Sequence, residues 1–368
     1  MTKDQLYLET FLLLEELVRI PSYSKEENKT ADLLEQQFAS LAISCERMGN
    51  NVWARNKFYD PLKHTLLLNS HHDTVRPAGN WTWNPHHPTH GGNKLIGLGV
   101  NDAGASLVSL LAAFRHFYAQ DLPFNVVFAA TAEEEISGEN GIEKVFPHFG
   151  KISFAIVGEP TGMNVAVAEK GLLVLDCVAM GKAGHAARKE GINAISLALA
   201  DIAWFNSYQF ENTSKWLGET TMSVTMISGG TQHNVVPAEC KFTVDVRFTD
   251  MYTADEILDI IRKNVKCEVN PRSKRLKSSG IDESHCLFAT ARALGKTVFG
   301  SPTLSDQALI PVPSIKMGPG ESSRSHTSDE YILLPELQQG IEGYIEFIQA
   351  LTQQQLSNET LAEKYNVE

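Results

Sequence analysis

Short apolar runs bounded by polar residues alternate with helical patterns through the first part of the chain. Residues 65–69, 125–130 and 154–157 read as strands, each too apolar along its length to leave one face in water. Residues 107–119 read as a helix between the first two. Leu6, Phe11, Leu14, Leu17 and Val18 line one face of an earlier helix that Pro21 ends. Near the C-terminus, residues 314–317 repeat the strand pattern and run into Gly318-Pro319-Gly320; a long helix over about 334–353 follows. Alternation of this kind predicts an α/β fold, a mostly parallel sheet flanked by helices.

The middle of the chain has a different period. Residues 171–180, 221–227 and 241–247 are longer and alternate apolar with polar, while 191–204 and 254–265 carry the helical spacing. That order, β-α-β-β-α-β, predicts a two-layer α+β domain inserted into the first. The expected division is a first part of the parallel-sheet domain over 1–172, an insertion over 173–285 and the second part of that domain over 286–368.

Length agrees with two cores: 368 residues exceed what one ordinary core organises. The composition, 43% hydrophobic and 21% charged, is that of a globular protein. With 32 Lys+Arg against 44 Asp+Glu, the formal charge of −12 argues against bulk attraction to nucleic acid or an anionic membrane. Asp4, Glu9, Glu15 and Glu16 break up the N-terminal apolar stretch, so it does not read as a signal peptide, and no run has the length of a membrane span. Cys45, Cys177, Cys240, Cys267 and Cys286 are odd in number and widely spaced, which predicts free thiols and a cytoplasmic protein. The basic cluster Arg262, Lys263, Lys266, Arg272, Lys274, Arg275 and Lys277 reads as a solvated face, with contact to an anionic substrate as the sharper alternative.

Chemistry follows each strand. Residues 65–70 run into His71-His72-Asp73, 124–130 into Thr131-Ala132-Glu133-Glu134-Glu135, 154–157 into Gly158-Glu159-Pro160, and 314–317 through a glycine loop to His326. Open α/β sheets bind ligands at the carboxyl ends of their strands, so four segments deliver imidazoles and carboxylates to one edge. Converging carboxylates repel unless they are protonated or share a cation, and imidazole with carboxylate suits zinc. In extended backbone His71 and Asp73 point together and His72 points away, which suits His71 as a ligand with Asp73 as its orienting partner; polar residues at a strand end are the alternative. The same parity separates Glu134 from Glu135, one for metal and one for substrate. In Gly97-Leu-Gly99-Val-Asn101-Asp102 the acid sits where a helix N-cap is expected. The chain has neither a Walker-type loop nor a Gly-x-Ser-x-Gly elbow.

Ser70-His-His-Asp-Thr-Val75, Gly97-Leu-Gly-Val-Asn-Asp102, Thr131-Ala-Glu-Glu-Glu135, Gly158-Glu-Pro-Thr161 and Gly181-Lys-Ala-Gly-His185 stand in that order. Residues 229–237 with Asn234-Val-Val-Pro, Asp245-Val-Arg247, Ser305-Asp306 and the stretch from Gly318-Pro-Gly through His326-Thr to Glu330-Tyr331 continue the series. Together they resemble the two-zinc amidohydrolases that include acetylornithine deacetylase, succinyl-diaminopimelate desuccinylase and glutamate carboxypeptidase. The resemblance implies a zinc-hydrolase catalytic domain with an inserted lid and dimerisation domain. It implies two Zn2+ ions, a role Co2+ can also fill: one on His71 and Glu159, another on Glu135 and His326, with Asp102 bridging. Glu134 matches the general base, Asp73 the supporting carboxylate, and His185 a histidine that reaches the partner subunit's site in a homodimer. Asn234 and Arg247 match positions that bind the substrate's anionic groups.

Leu98, Ala103, Gly104 and Glu133 depart from residues frequent in that family without removing a ligand. Residues 98–107, 181–188, 302–308 and 322–326 are most similar to the arginine-biosynthetic deacylases. The implied substrate is therefore a small N-acyl amino acid, N-acetyl- or N-succinyl-L-ornithine or -citrulline. A metallo-exopeptidase on the same site and a non-catalytic binding homologue are the two alternatives.

Overall fold

The structure, a computed structural model, describes residues 2–188 and 190–365. The chain divides into two compact units. The first comprises Met1–Val167, Gly280–Phe299 and Ser305–Glu368, and the second Ala168–Ser279 with Gly300–Leu304.

Four parallel neighbours form the heart of the first unit: Asn125–Thr131, Thr65–His71, Phe154–Gly158 and Ser314–Met317, in that spatial order. Every residue in these four strands is buried, as a parallel sheet covered on both faces requires. Their register aligns the carboxyl ends: His71 lies opposite Thr131, and Met317 opposite Gly158. An antiparallel hairpin, Cys45–Met48 and Asn51–Arg55, extends the sheet beyond Asn125–Thr131. Neither of its strands stands out as an apolar run, because Glu46 and Arg47 fill the middle of the first and only Val52, Trp53 and Ala54 are apolar in the second.

On one face of the sheet, the almost wholly buried helix Ala105–Phe117 packs between Lys3–Val18 and Leu334–Tyr365. Tyr344 of the last helix is fully buried and donates its hydroxyl to the Met317 carbonyl, tying that helix to the end of a strand. On the other face, Leu67, Val127, Ala129, Ala155 and Val157 form a core with Trp53, Phe149 and Ile310. A small sheet of Thr89–Gly91, Lys94–Ile96 and Tyr331–Leu333 joins the turn before Asp102 to the segment after His326.

The second unit is a four-stranded antiparallel sheet ordered Thr221–Gly229, Glu239–Phe248, Gly171–Met180 and Glu268–Pro271. Leu173, Leu175, Cys177 and Ala179 alternate inward against the helices Ala194–Ser207 and Ala254–Asn264. The first of these helices starts at Ala194 rather than at 191, because Gly191 is left-handed and Asn193 caps the helix through Ile195 N–H. Thr253 and Glu256 form a capping box on the second. Thr221–Gly229 is an edge strand and leaves Met226 64% and Ile227 55% exposed. The five cysteines are free thiols. No helix among the described residues is long and apolar enough to cross a membrane.

Candidate active site

His71 closes its strand and is buried. Its Nδ1 lies 3.0 Å from the Asp73 backbone carbonyl, with the Asp73 carboxylate at 3.4 Å. The near partner that orients the ring is therefore the carbonyl. The Asp73 carboxylate instead accepts from Glu134 N–H (3.0 Å), Glu135 N–H (3.2 Å) and the Ser24 hydroxyl (2.7 Å), and so fixes the backbone that carries both glutamates. His72 points away, between the Thr30 hydroxyl and the Asn50 carbonyl, and burial there lowers its pKa to about 4.

Glu134 and Glu135 are not in extended backbone. They begin a 3-10 turn, Glu134–Ile136, preceded by left-handed Glu133 and followed by left-handed Ser137. Strand parity is thus not what separates them; the tight turn fans consecutive side chains apart. Glu134 lies 3.8 Å from His71 Nε2, and Glu135 2.9 Å from His326 Nε2. Glu159 immediately follows its strand and stands 3.7 Å from His71 Nε2.

Asp102 sits between the two imidazoles. Its Oδ1 is 3.4 Å from His71 Nε2 and its Oδ2 3.6 Å from His326 Nε2. It does not cap a helix: its φ/ψ of −118°/99° lies outside the helical region, and the helix proper starts at Ala105. The turn depends on Gly99, which is left-handed at φ +78° and would place a Cβ 2.6 Å from Thr74 Cγ2.

Among the described residues, His71 with Glu134 and Glu159, and His71 with Asp102 and Glu135, each bring ligand atoms within 4.8 Å of one another. His71 Nε2 is buried without a hydrogen-bond partner. Its distances of 3.4–3.8 Å to three carboxylates are too long for hydrogen bonds. They approach the edge of a tetrahedron, about 3.4 Å when ligands stand about 2.1 Å from a common centre. The residues around His71 therefore fit a divalent cation, and Asp102 reaches from them toward Glu135 and His326.

The electrostatics agree. Burial pushes Glu159 up to about 8 and Glu134 well above the carboxylate range, with the neighbouring carboxylates adding to both. His326 rises to about 9, chiefly through its contact with Glu135. Carboxylates pushed toward their neutral form and an imidazole pushed toward its cation mark a cluster short of positive charge.

His185, Asn234 and Arg247 belong to the second unit. His185 is exposed on a two-stranded ribbon, Gly184–His185 against Val235–Val236, and Ala186 N–H donates to the Asn234 carbonyl at 3.1 Å. The ribbon brings these two residues together. Arg247 is elsewhere, paired with Asp245 at 2.8 and 3.0 Å. Gly181 N–H bonds the Ala238 carbonyl, so the ribbon leaves the Glu239 end of Glu239–Phe248, whereas Arg247 sits opposite Leu172 at the other end. Eight residues of extended strand put about 27 Å between them. Of the basic residues, Arg272 bonds Asp176, Lys274 bonds Asp255 and Arg324 bonds Glu336.

Several supporting residues lie outside the predicted set. Asp306 is buried and accepts from Asn69 (2.9 Å) and Thr131 (2.7 Å), beneath the ends of two strands. Glu27, also buried, holds Glu133 N–H and the Asn50 side chain. Glu330 holds the turn that carries Asp102. Asp306 and Glu330 stand within quoted motifs, but nothing in the spacing distinguishes a carboxylate that binds backbone from one that binds metal.

The sequence profile of peptidase family M20/M25/M40 matches residues 67–350. The acetylornithine deacetylase of Proteus mirabilis (strain HI4320) is 28% identical, the alignment covering 97% of this chain and 98% of that protein. Succinyl-diaminopimelate desuccinylase 2 of Ruegeria sp. (strain TM1040) is 25% identical over 78% of this chain and 77% of its own. Among solved structures, aminopeptidase PepT from Bacillus cereus ATCC 10987 has the same fold, with a TM-score of 0.77 at 19% identity, covering 95% of this chain and 99% of that one. The Bacillus subtilis YXEP protein, described as a dinuclear metal binding peptidase from the M20 family, gives a TM-score of 0.70 at 17% identity, covering 95% and 98%.

Proposed function

The chain belongs to peptidase family M20/M25/M40 and is a metal-dependent amidohydrolase, and we propose that it hydrolyses the amide bond of an N-acyl-L-amino acid. The proposed substrates are N-acetyl- or N-succinyl-L-ornithine or -citrulline, with release of the free amine and acetate or succinate in arginine biosynthesis. The observation that carries the reaction class is the placement of Asp102, one oxygen toward His71 and the other toward His326, with Glu134 beside them. The full-length alignment with the acetylornithine deacetylase supports the substrate class.

His71 and Glu159 would hold one cation, Glu135 and His326 the other, and Asp102 would touch both. Two Zn2+ ions, or Co2+ in their place, supply Lewis acidity, lowering the pKa of water and polarising the acyl carbonyl. Glu134 lies within reach of the first ligand set, so its geometry suits either ligand or base. We assign it the base, because the other five residues already complete two sites. It accepts the proton of the attacking water as the C–O bond forms, and returns it to the nitrogen as the C–N bond breaks. His185 donates a hydrogen bond to the oxygen on which negative charge develops. Asp73 keeps Glu134 in position through its backbone N–H.

A homodimer through the second unit belongs to the same proposal. Its exposed edge strand, with Met226 and Ile227 facing solvent, offers unpaired backbone and apolar surface to a second copy. The separation of Arg247 from His185 and Asn234 supports a division of labour, with the ribbon serving the partner's site. The free thiols support a cytoplasmic setting.

The test is primary-amine release by Zn2+-loaded enzyme from N-acetyl and N-succinyl forms of ornithine and citrulline, succinyl-diaminopimelate and several dipeptides. An acylated ornithine or citrulline is expected to give the highest kcat/KM. Preference for dipeptides would make the protein an exopeptidase, and hydrolysis of none of them would return it to a binding role.

A further inference from the structure

Glu330 is 1% exposed and lies four residues after His326. Its Oε1 accepts from Asn101 N–H at 2.8 Å and Asp102 N–H at 3.0 Å, and its Oε2 from Gly99 N–H at 3.2 Å. Three amides of one turn thus converge on a single carboxylate, an arrangement the left-handed Gly99 makes. The turn is held from a second side as well. Asn101 accepts from Glu321 N–H at 3.0 Å and donates to the Glu321 carbonyl at 3.1 Å. The backbone of Glu330 has a separate duty: its carbonyl accepts from Gly97 N–H at 3.0 Å, beside the strand pair Tyr331–Leu333 and Lys94–Ile96. A side-chain substitution leaves that pairing in place.

Asp102 and His326 are the two groups whose spacing decides whether a cation fits between Glu135, His326 and the bridging carboxylate. They come from segments more than 200 residues apart in the chain, and the Glu330 side chain joins those segments. We propose that Glu330 is a positioning residue that sets where Asp102 stands relative to His326, and so sets the affinity for the second cation, the one between Glu135 and His326. The inference rests on the two-cation reading above. A carboxylate offers enough lone pairs for all three amides. A carboxamide of the same shape does not, because either orientation turns its NH2 group toward at least one of the N–H donors.

The test is calorimetric titration of the chelator-stripped, full-length protein with Zn2+, in parallel with electron paramagnetic resonance of the Mn2+-loaded protein. Wild type should take two equivalents and show the coupled signal of a carboxylate-bridged Mn2+ pair. Glu330→Gln should weaken the second equivalent about 10- to 100-fold, the range found when an outer partner of a ligand is lost, with little change in the first. Its Mn2+ signal should be that of an isolated ion. Glu330→Asp keeps the carboxyl group but withdraws it by one methylene, and should show the same selective loss if Glu330→Gln melts too low to titrate. Asp329→Asn disturbs the same segment at its contacts with Thr82 and Trp83 N–H and should keep both equivalents. Equal weakening of both equivalents, no weakening, or the same loss in Asp329→Asn would overturn the proposal. A wild-type protein that takes fewer than two equivalents would overturn the two-cation reading itself, and the proposal with it.

Discussion

The two units present their candidate functional side chains in opposite ways. In the first, Asp102, Glu134, Glu135 and Glu159 stand half-buried around buried His71, with His326 exposed beside them, and a further layer holds them: Asp73 on the 134–135 backbone, Glu330 on the 99–102 turn, Asp306 under the strand ends. In the second, His185 and Asn234 stand exposed at a short ribbon held by backbone pairing, with Ala187 N–H donating to His185 Nδ1 and Arg247 far along the strand. A cation site demands ligands fixed in advance, because an unpaired buried carboxylate is costly. Residues that meet substrate can remain outside until assembly and binding bring them to their targets.

The largest effect expected from this contrast is at Glu134. Glu134→Gln should lower kcat by about 10³-fold or more while both cations remain bound, a loss in keeping with general-base chemistry. Near-normal turnover by the variant would remove Glu134 from the reaction. Cation binding should also be proton-linked. Glu159, held at about 8 against an ordinary 4.5, carries a proton in the cation-free protein at neutral pH and must release it on binding. Zn2+ affinity should therefore rise with pH up to about 8, with proton release visible as a buffer-dependent heat. The sign for stability is the reverse. A raised carboxyl pKa stabilises the cation-free fold fully below 4.5, and that contribution is lost as pH climbs through about 8. A Zn2+ affinity independent of pH would contradict the assignment of Glu159 as a ligand.

Smaller effects are expected from the second unit. His185→Ala should reduce kcat about 10²-fold, as loss of one oxyanion donor does, with a lesser change in KM and no change in cation content. If KM alone moves, His185 binds substrate and does not stabilise the transition state. Met226→Lys with Ile227→Lys places charge on the exposed edge strand, and light scattering should then report a monomer. Its activity should fall toward that of His185→Ala, whereas a fully active monomer would separate the ribbon from catalysis.

Much of this contrast was legible in the amino-acid order, and the reasons differ by region. The buried parallel strands announce themselves because both faces are apolar, so the positions of His71, Glu159 and the 133–135 run at their ends follow directly. Gly171–Met180 is equally plain from its alternation. The hairpin Cys45–Met48 and Asn51–Arg55 carries too many polar residues to stand out as an apolar run, and Ser24 and Glu27 act through contacts 49 and 106 residues away that no local spacing records. Strand parity does not apply to Glu134 and Glu135 because the chain makes a 3-10 turn there, and three successive glutamates carry no signal for the left-handed Glu133 that starts it. At Asp102 the local pattern is that of a helix cap as well as that of a ligand, and the cap reading fails because the backbone there is not helical and Glu330 gathers the N–H groups of the turn.

The most direct measurement joins both regions in one molecule. A heterodimer of Glu134→Gln and His185→Ala subunits, isolated through two different affinity tags, contains one site with Glu134 from one chain and His185 from the other. The account predicts that it recovers about half the amine release of wild type, although each parent homodimer is nearly inactive. A heterodimer no more active than its parents would contradict a site completed by the partner subunit.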